Sequence, residues 1–153
     1  MTFVADIHAD IDALRELADA LARFRHAQRE VVERGDHEIE ATRASLEAKA
    51  GRWRSLLARR RADLAACQRA AAADGAGPAP DCSAEARAVR EAEERLDHIR
   101  RWQLRVDDEA GAFRSVAVQF RDLLDLELPR TENHLRAVIG GLEASRRIQV
   151  PGS

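Results

Sequence analysis

The stretch AAADGAGPAPDCS, from Ala71 to Ser83, is the only segment of this sequence with loop composition over more than a few residues. Its Asp-Gly, Gly-Pro and Pro-Ala-Pro steps are typical of turns and interrupt regular structure. The segment divides the 153 residues into nearly equal halves. Both halves are rich in Leu, Ala, Arg and Glu, and only 4% of the chain is aromatic, a composition typical of long helices.

Apolar or small residues on both sides of the loop follow a seven-residue repeat, which is typical of helices that pack along their length. Before the loop they are Val4, Ile7, Ile11, Leu14, Ala18, Leu21, Val32, Ile39, Leu46, Trp53, Leu56, Leu64 and Cys67. After the loop they are Val89, Ala92, Leu96, Ile99, Val106, Ala110, Phe113, Ala117, Phe120, Leu124, Leu128, Leu135, Val138 and Leu142. Because the loop is short, we expect the two helices to return antiparallel.

The sequence therefore predicts an all-α protein with a single helical domain over 1–153. Its form is a long antiparallel helical hairpin, coiled-coil-like, with arms at about 4–70 and 84–147 and the loop at 71–83. Folding about the loop brings Trp53 and Trp102 to similar levels, where we expect both to anchor the core.

Two glycines and a proline interrupt the arms. Gly35 and Gly111 come close in level when the hairpin is folded, and each costs about 1 kcal/mol inside a helix relative to alanine. Two alternatives stay open: a hairpin kinked near these glycines, or four shorter helices folded over into a four-helix bundle. Pro129 removes a backbone donor, so we expect a break near 129 with a helix restarting there.

The two cysteines, Cys67 and Cys82, flank the loop and reach one level in the hairpin. A disulfide between them would clip the turn and contribute about 3 kcal/mol on the chain-entropy model. The alternative is two free thiols that serve as small packing residues, as expected in a reducing cytosol. Two cysteines alone cannot complete a zinc site.

A basic run from Arg52 to Arg61 would, taken alone, suggest phosphate binding. The hairpin sets this run against acidic residues of the returning helix, namely Glu85, Glu91, Glu93, Glu94 and Asp97. We expect mutual ion pairing, because the net charge is -2 and aromatic residues for base stacking are missing around the run. A nucleic-acid partner is therefore the alternative to a protein partner.

Residues that could carry catalysis are not grouped in this sequence. It has no glycine-rich phosphate loop, no nucleophile elbow and no close Ser/His/Asp group. The acid–histidine pairs Glu33/His37 and Glu94/His98 are spaced by four residues, whereas di-iron bundles use a spacing of three. We therefore predict no enzyme activity, no catalytic residues, no metal and no cofactor.

The sequence has neither a basic segment leading an apolar core at its start nor a membrane-length apolar run. We expect a cytoplasmic protein that does not associate with membranes, with leaderless secretion as an alternative.

The opening ADIDALRELADALARF, followed by a tryptophan in AGRWRSLL, resembles the helical-hairpin proteins of the WXG100 (ESAT-6-like) group and the related helical domains of secreted polymorphic toxins. The likeness covers about the first 60 residues. That group carries Trp-x-Gly in its turn, whereas Trp53 here is followed by Arg54 and Ser55 inside a predicted helix. The resemblance implies a helical adaptor that pairs with a partner helix or toxin in specialised secretion.

Two helices alone give a thin core, so apolar residues beside the repeat are expected to bury against another chain. They are Leu17, Phe24, Val31, Val116, Leu123 and Leu126. We predict a protein–protein interaction module that binds a protein partner or forms a homo-oligomer. The predicted contact residues are Phe24, Val31, Phe113 and Phe120.

Overall fold

The computed structural model describes residues 2–73, 75 and 77–149, and among them the regular structure is entirely helical. Helix α1 spans Thr2–Ala72 and helix α2 spans Ser83–Asp122. A π-helical segment, Leu123–Glu127, then leads into helix α3, Leu128–Gln149. The predicted all-α class is confirmed. The predicted repeat positions Val4 and Ile7 lie outside the side chains that the structure describes.

The loop between α1 and α2 is held at both ends. The Cys67 and Cys82 side chains are joined in a disulfide, with their Cα atoms 5.9 Å apart. At the start of α2, Asp81 accepts hydrogen bonds from the Ser83 backbone N–H and from the Ser83 hydroxyl, both at 3.0 Å. A side chain that accepts from the first N–H groups of a helix satisfies donors that have no partner within the helix.

The chain forms two compact units. Unit 1 comprises Met1–Asp36 and Phe113–Ser153, and unit 2 comprises His37–Ala112. The core of unit 2 is made of Ala50, Leu57, Val89, Ala92, Leu96 and Ile99, with Leu46, Trp53 and Leu64 packed against it. The described buried residues of unit 1 are Ile11, Ala18, Val32, Ala117, Leu124, Glu132 and Ile139.

Ion pairs between the helices follow a consistent order in unit 1. The pairs are Arg15–Glu143, Arg25–Glu132, Arg29–Asp125 and Asp36–Arg121. In unit 2 the corresponding pairs are Arg43–Asp107 and Arg61–Glu93. Within each unit, the partner's residue number falls as the α1 residue number rises.

Helix α1 continues through Gly35 and α2 continues through Gly111. The breaks that four shorter helices would need at these glycines are not present among the described elements. Gly35 instead provides room for an aromatic ring, because a Cβ atom built there would lie 2.6 Å from Cζ of Phe113.

The predicted break near Pro129 is a change of helix type. The Leu128 N–H donates to the carbonyl of Leu123, five residues back, and Pro129 is the second residue of α3, where a missing N–H is tolerated. Helical backbone thus continues where we expected it to stop. No described helix contains an apolar stretch long enough to cross a bilayer.

Candidate protein-binding face

Helix α1 carries an exposed apolar stripe in unit 1. Its members, called here the α1 stripe, are Ala13, Leu17, Ala20, Phe24, Ala27 and Val31. They alternate spacings of four and three residues, and all six are exposed. The three large side chains keep 48%, 47% and 53% of their surface in solvent, for Leu17, Phe24 and Val31 respectively. The stripe is thus a heptad seam without a described partner.

The α1 stripe lies directly beside the residues that pack inside unit 1. Leu17 precedes the buried Ala18, and Val31 precedes the buried Val32. One residue turns an α-helix by about 100°. Consequently the stripe faces roughly sideways from the packed surface.

The ion-paired residues of α1 occupy the opposite flank. Arg15, Arg29 and Asp36 each come one residue after a half-buried residue, and each pairs across to α2, the π-helical segment or α3. They are therefore turned about 100° from the packed surface in the other direction. Unit 1 has one flank held by ion pairs and one flank lined with apolar side chains.

The rest of unit 1 repeats this arrangement. Val116 and Leu123 are 67% and 41% exposed, and they precede the buried Ala117 and Leu124. On α3, Val138 is 38% exposed and precedes the buried Ile139. The apolar flank therefore continues on the helical segments that pack against α1 in this unit, and each of these residues comes one position before a buried residue.

The four predicted contact residues divide into two kinds. Phe24 and Val31 are half-exposed members of the α1 stripe. Phe113 and Phe120 are half-buried, and the Phe113 ring lies against Gly35 within unit 1. In this structure Phe113 thus contributes to the packing of its own unit.

A buried ion pair sits on the packed surface of unit 1. The guanidinium of Arg25 donates to both carboxylate oxygens of Glu132, at 2.9 and 3.2 Å. The Glu132 side chain is only 4% exposed, whereas that of Arg25 is 30% exposed. A bidentate pair fixes direction as well as distance, so it sets the level at which α1 meets α3.

The basic run makes fewer cross-helix pairs than predicted. Arg61 pairs with Glu93 at 2.8 Å, but Arg54 pairs with Glu47 on its own helix. Arg52, Arg59 and Arg60 are exposed and make no ion pair within the part of the chain that the structure describes. The expectation of general mutual pairing is therefore wrong for most of the run, because only Arg61 of its five arginines pairs with the returning helix among the described residues.

Glu47 joins the helices of unit 2 through hydrogen bonds. Its carboxylate accepts from Arg54 on α1 and, at 3.1 Å, from the Gln103 amide on α2. The Arg54 hydrogen bond and charge, followed by the Gln103 hydrogen bond, lower the pKa of Glu47. The carboxylate is thus held in its charged form by its neighbours.

The two tryptophans have different surroundings. Trp53 packs against the core of unit 2, as expected, whereas Trp102 is 44% exposed. The Trp102 indole N–H donates to His98 at 3.1 Å, and the Arg105 guanidinium lies 5.3 Å from the ring centroid. The expectation that Trp102 is a core anchor is wrong. Its position directly before the half-buried Gln103 places it on the flank of α2.

Among the described residues, no group of three or more His, Cys, Asp and Glu side chains is placed to hold a metal ion. No hydrogen bond or ion pair joins Glu94 to His98 in the described part of the chain, and Nε2 of His98 accepts from Trp102.

Compared with models of known protein families, with curated proteins and with solved structures, the chain gives no match. The candidate face therefore has to be interpreted from its own geometry.

Proposed function

We propose that this chain is a non-enzymatic helical protein–protein interaction module, acting as an adaptor, chaperone or assembly subunit. The observation that carries the proposal is the exposed apolar flank of unit 1, formed by the α1 stripe with Val116 and Leu123. Contiguous apolar surface of this kind marks an interaction site more often than isolated exposed residues do. A link to specialised secretion rests only on the resemblance of the first 60 residues to the ESAT-6-like group.

The proposed scaffold is an antiparallel helical hairpin within each unit. The falling order of the ion-pair partners, from Arg15–Glu143 to Asp36–Arg121, supports it. When two helices run antiparallel and face each other, the residue before each packed position lies on the same side of the pair in both helices. Leu123 would then lie beside the Val31 end of the α1 stripe, and Val116 would continue the apolar flank beyond that end.

The proposal can be tested with a photo-cross-linking amino acid placed at single positions in the native host. Position 24 lies on the proposed face, whereas Val118 is equally exposed at 55% but follows the packed Ala117 and so lies on the ion-paired flank. We expect a protein adduct from position 24 and none from position 118. Equal adducts from both positions, or adducts from neither, would overturn the proposal.

A second candidate function, nucleic-acid binding, is favoured by one observation in unit 2. Arg52 and Arg59 lack carboxylate partners in the described part of the chain, and the exposed Trp102 offers a ring on which a base could stack. Arg52 and Trp102 precede the half-buried Trp53 and Gln103, and Arg59 lies one heptad after Arg52, so in an antiparallel pair the three residues would share one side. The negative net charge weighs against this function.

The salt dependence of binding to short single-stranded DNA and RNA distinguishes the two functions. A site that uses two or three arginines predicts a slope of log K against log salt of about -2. The variant R52Q/R59Q should abolish that binding without changing the adduct formed at position 24.

A further inference from the structure

We propose that a second copy of this chain covers the α1 stripe, with the two α1 helices running antiparallel about a two-fold axis near Ala22. This inference deepens the proposed function and rests on it, because it names the partner of the same face. Two features of the stripe support it: the alternation of side-chain size and the charges at its two ends.

Side-chain size alternates strictly along the α1 stripe. One heptad position holds Leu17, Phe24 and Val31, and the other holds only alanine. Antiparallel pairing sets one heptad position against the other, so every large side chain would meet an alanine. The resulting pairs are Leu17 with Ala27, Phe24 with Ala20, and Val31 with Ala13. Parallel pairing would instead set Phe24 against its own copy and alanine against alanine, leaving a gap at every second layer.

The ends of the stripe are charged in opposite sense. Continuing the heptad by one position reaches Asp10 at the start and Arg34 at the end. Both side chains are exposed, and neither forms an ion pair among the described residues. The register that pairs all six apolar residues also sets Asp10 of each copy opposite Arg34 of the other. A shift of one heptad would lose two apolar layers and place Asp10 against Ala27.

The charges flanking the stripe act against this register only weakly. Glu16 would lie near Glu30 of the second copy, and Arg23 would lie near its own copy. These are exposed contacts between long side chains that can turn into solvent, where charge interactions are small. The six apolar layers therefore determine the register, and the charged pair at each end makes a smaller contribution.

The area of the α1 stripe predicts a weak dimer. The stripe spans 19 residues, from Ala13 to Val31, which is about 27 Å at the rise of an α-helix. Its apolar face is one helix wide, about 10 Å, because the pairs Arg29–Asp125 and Asp36–Arg121 place Leu123 near the Val31 end and Val116 beyond it. Each copy would then contribute about 270 Å², and a total of about 540 Å² is in the range of weak interfaces.

The first test is sedimentation equilibrium of the full-length protein and of four variants at matched concentration. V31E introduces a charge on the face, and V118E introduces the same charge at an equally exposed valine on the other flank. D10R sets arginine against Arg34, and D10R/R34D restores opposite charges with the order reversed.

We expect the wild type and V118E to be dimeric and V31E to be monomeric. D10R should weaken dimerisation by about threefold, because two end pairs change from attraction to repulsion and charge interactions between exposed side chains are small. The double variant should recover the wild-type affinity. A monomeric wild type, or a double variant as weak as D10R, would overturn the proposal. Far-UV circular dichroism checks that each variant remains helical.

Spin labels measure the direction of pairing. The native cysteines are joined in a disulfide, so A9C provides the single reactive thiol. In the antiparallel register, Ala9 and its copy lie 26 residues apart in level, or about 39 Å. A distance below about 20 Å would indicate parallel pairing and overturn the inference. Adducts at position 24 with an unrelated protein, together with a monomeric wild type, would overturn the second copy as partner while leaving the proposed function intact.

Discussion

Replacing Arg25 by methionine should destabilise the protein more than replacing Glu132 by leucine, although the two residues form a single ion pair. The Glu132 side chain is 4% exposed, so R25M leaves a carboxylate with almost no access to water. Removing one partner of a buried pair costs about 3 kcal/mol at the lower end of measured values. The Arg25 side chain is 30% exposed, so its guanidinium reaches solvent in E132L and the cost should be about 1 kcal/mol.

The double variant R25M/E132L should be within about 1 kcal/mol of the wild type, because apolar groups of similar volume replace a buried ion pair at little net cost. The coupling energy of the double-mutant cycle would then be about 3 kcal/mol. Urea unfolding followed by circular dichroism at a fixed protein concentration measures all four free energies of unfolding, since self-association would make them concentration-dependent. Thermal melts should show R25M lowered by about 9 °C.

The exposed pair Arg29–Asp125 provides the control for this cycle. Its side chains are 48% and 47% exposed, so R29M should change the free energy of unfolding by less than about 0.5 kcal/mol. If R25M and E132L cost the same and their effects add in the double variant, the argument from asymmetric burial is refuted.

Three further changes have expected outcomes. Replacing both cysteines, C67S/C82S, should lower the free energy of unfolding by about 3 kcal/mol, because the disulfide joins residues separated by 15 positions. In urea unfolding, the reduced wild type should match the variant. G35A should lower stability by about 1 kcal/mol despite the better helix propensity of alanine, since the ring of Phe113 must move away from the new methyl group; thermal unfolding measures this. E47Q should lower the melting temperature at neutral pH. Because the pKa of Glu47 is lowered in the folded state, the stabilisation by its carboxylate is complete above the ordinary carboxyl pKa and is lost as the pH falls through the lowered pKa. The melting temperatures of wild type and variant should therefore converge in acid.

A matched glycine checks the second of these changes. A Cβ atom at Gly140 would meet nothing within 4 Å, so G140A should raise stability by about 1 kcal/mol through helix propensity alone. If G35A is as stabilising as G140A, contact with Phe113 does not determine the role of Gly35.

The sequence predicts the helices well because their signals are local. The composition of the 71–83 segment places the loop, and α1 ends at Ala72 while α2 begins at Ser83. Heptad spacing alone identifies the α2 residues of the unit 2 core, including Val89 and Leu96, but on α1 it selects Leu56 where the buried residue is Leu57. The exposed apolar residues Leu17, Phe24 and Val31 could also be singled out, since they stand beside the repeat.

The remaining features depend on contacts between segments distant in sequence. Arg25 looks like a defect in the apolar repeat until Glu132, 107 residues away, is known to meet it. Gly35 looks like a weak point of the helix, yet its lack of a side chain makes room for Phe113. The absence of ion pairs at Arg52 and Arg59 among the described residues could not be predicted, because the direction of each side chain depends on how α1 is rotated about its axis relative to α2.

The π-helical segment has a consequence for the length of the chain. The packed positions Leu124, Leu128 and Glu132 follow each other at steps of four, one residue more than a uniform heptad allows. The wider turn takes up this surplus residue, so α3 keeps Glu132 opposite Arg25 and Ile139 in the interior. Deleting the half-exposed Leu126 should therefore restore a uniform heptad and keep the rotation of α3, but it would place Pro129 inside continuous α-helix at a cost of about 3 kcal/mol. A deletion elsewhere in α2 or α3 would instead rotate all that follows by about 100°. Between Leu123 and Glu127, we expect the loss of a residue to lower stability at Pro129 without changing which side chains of α3 meet α1.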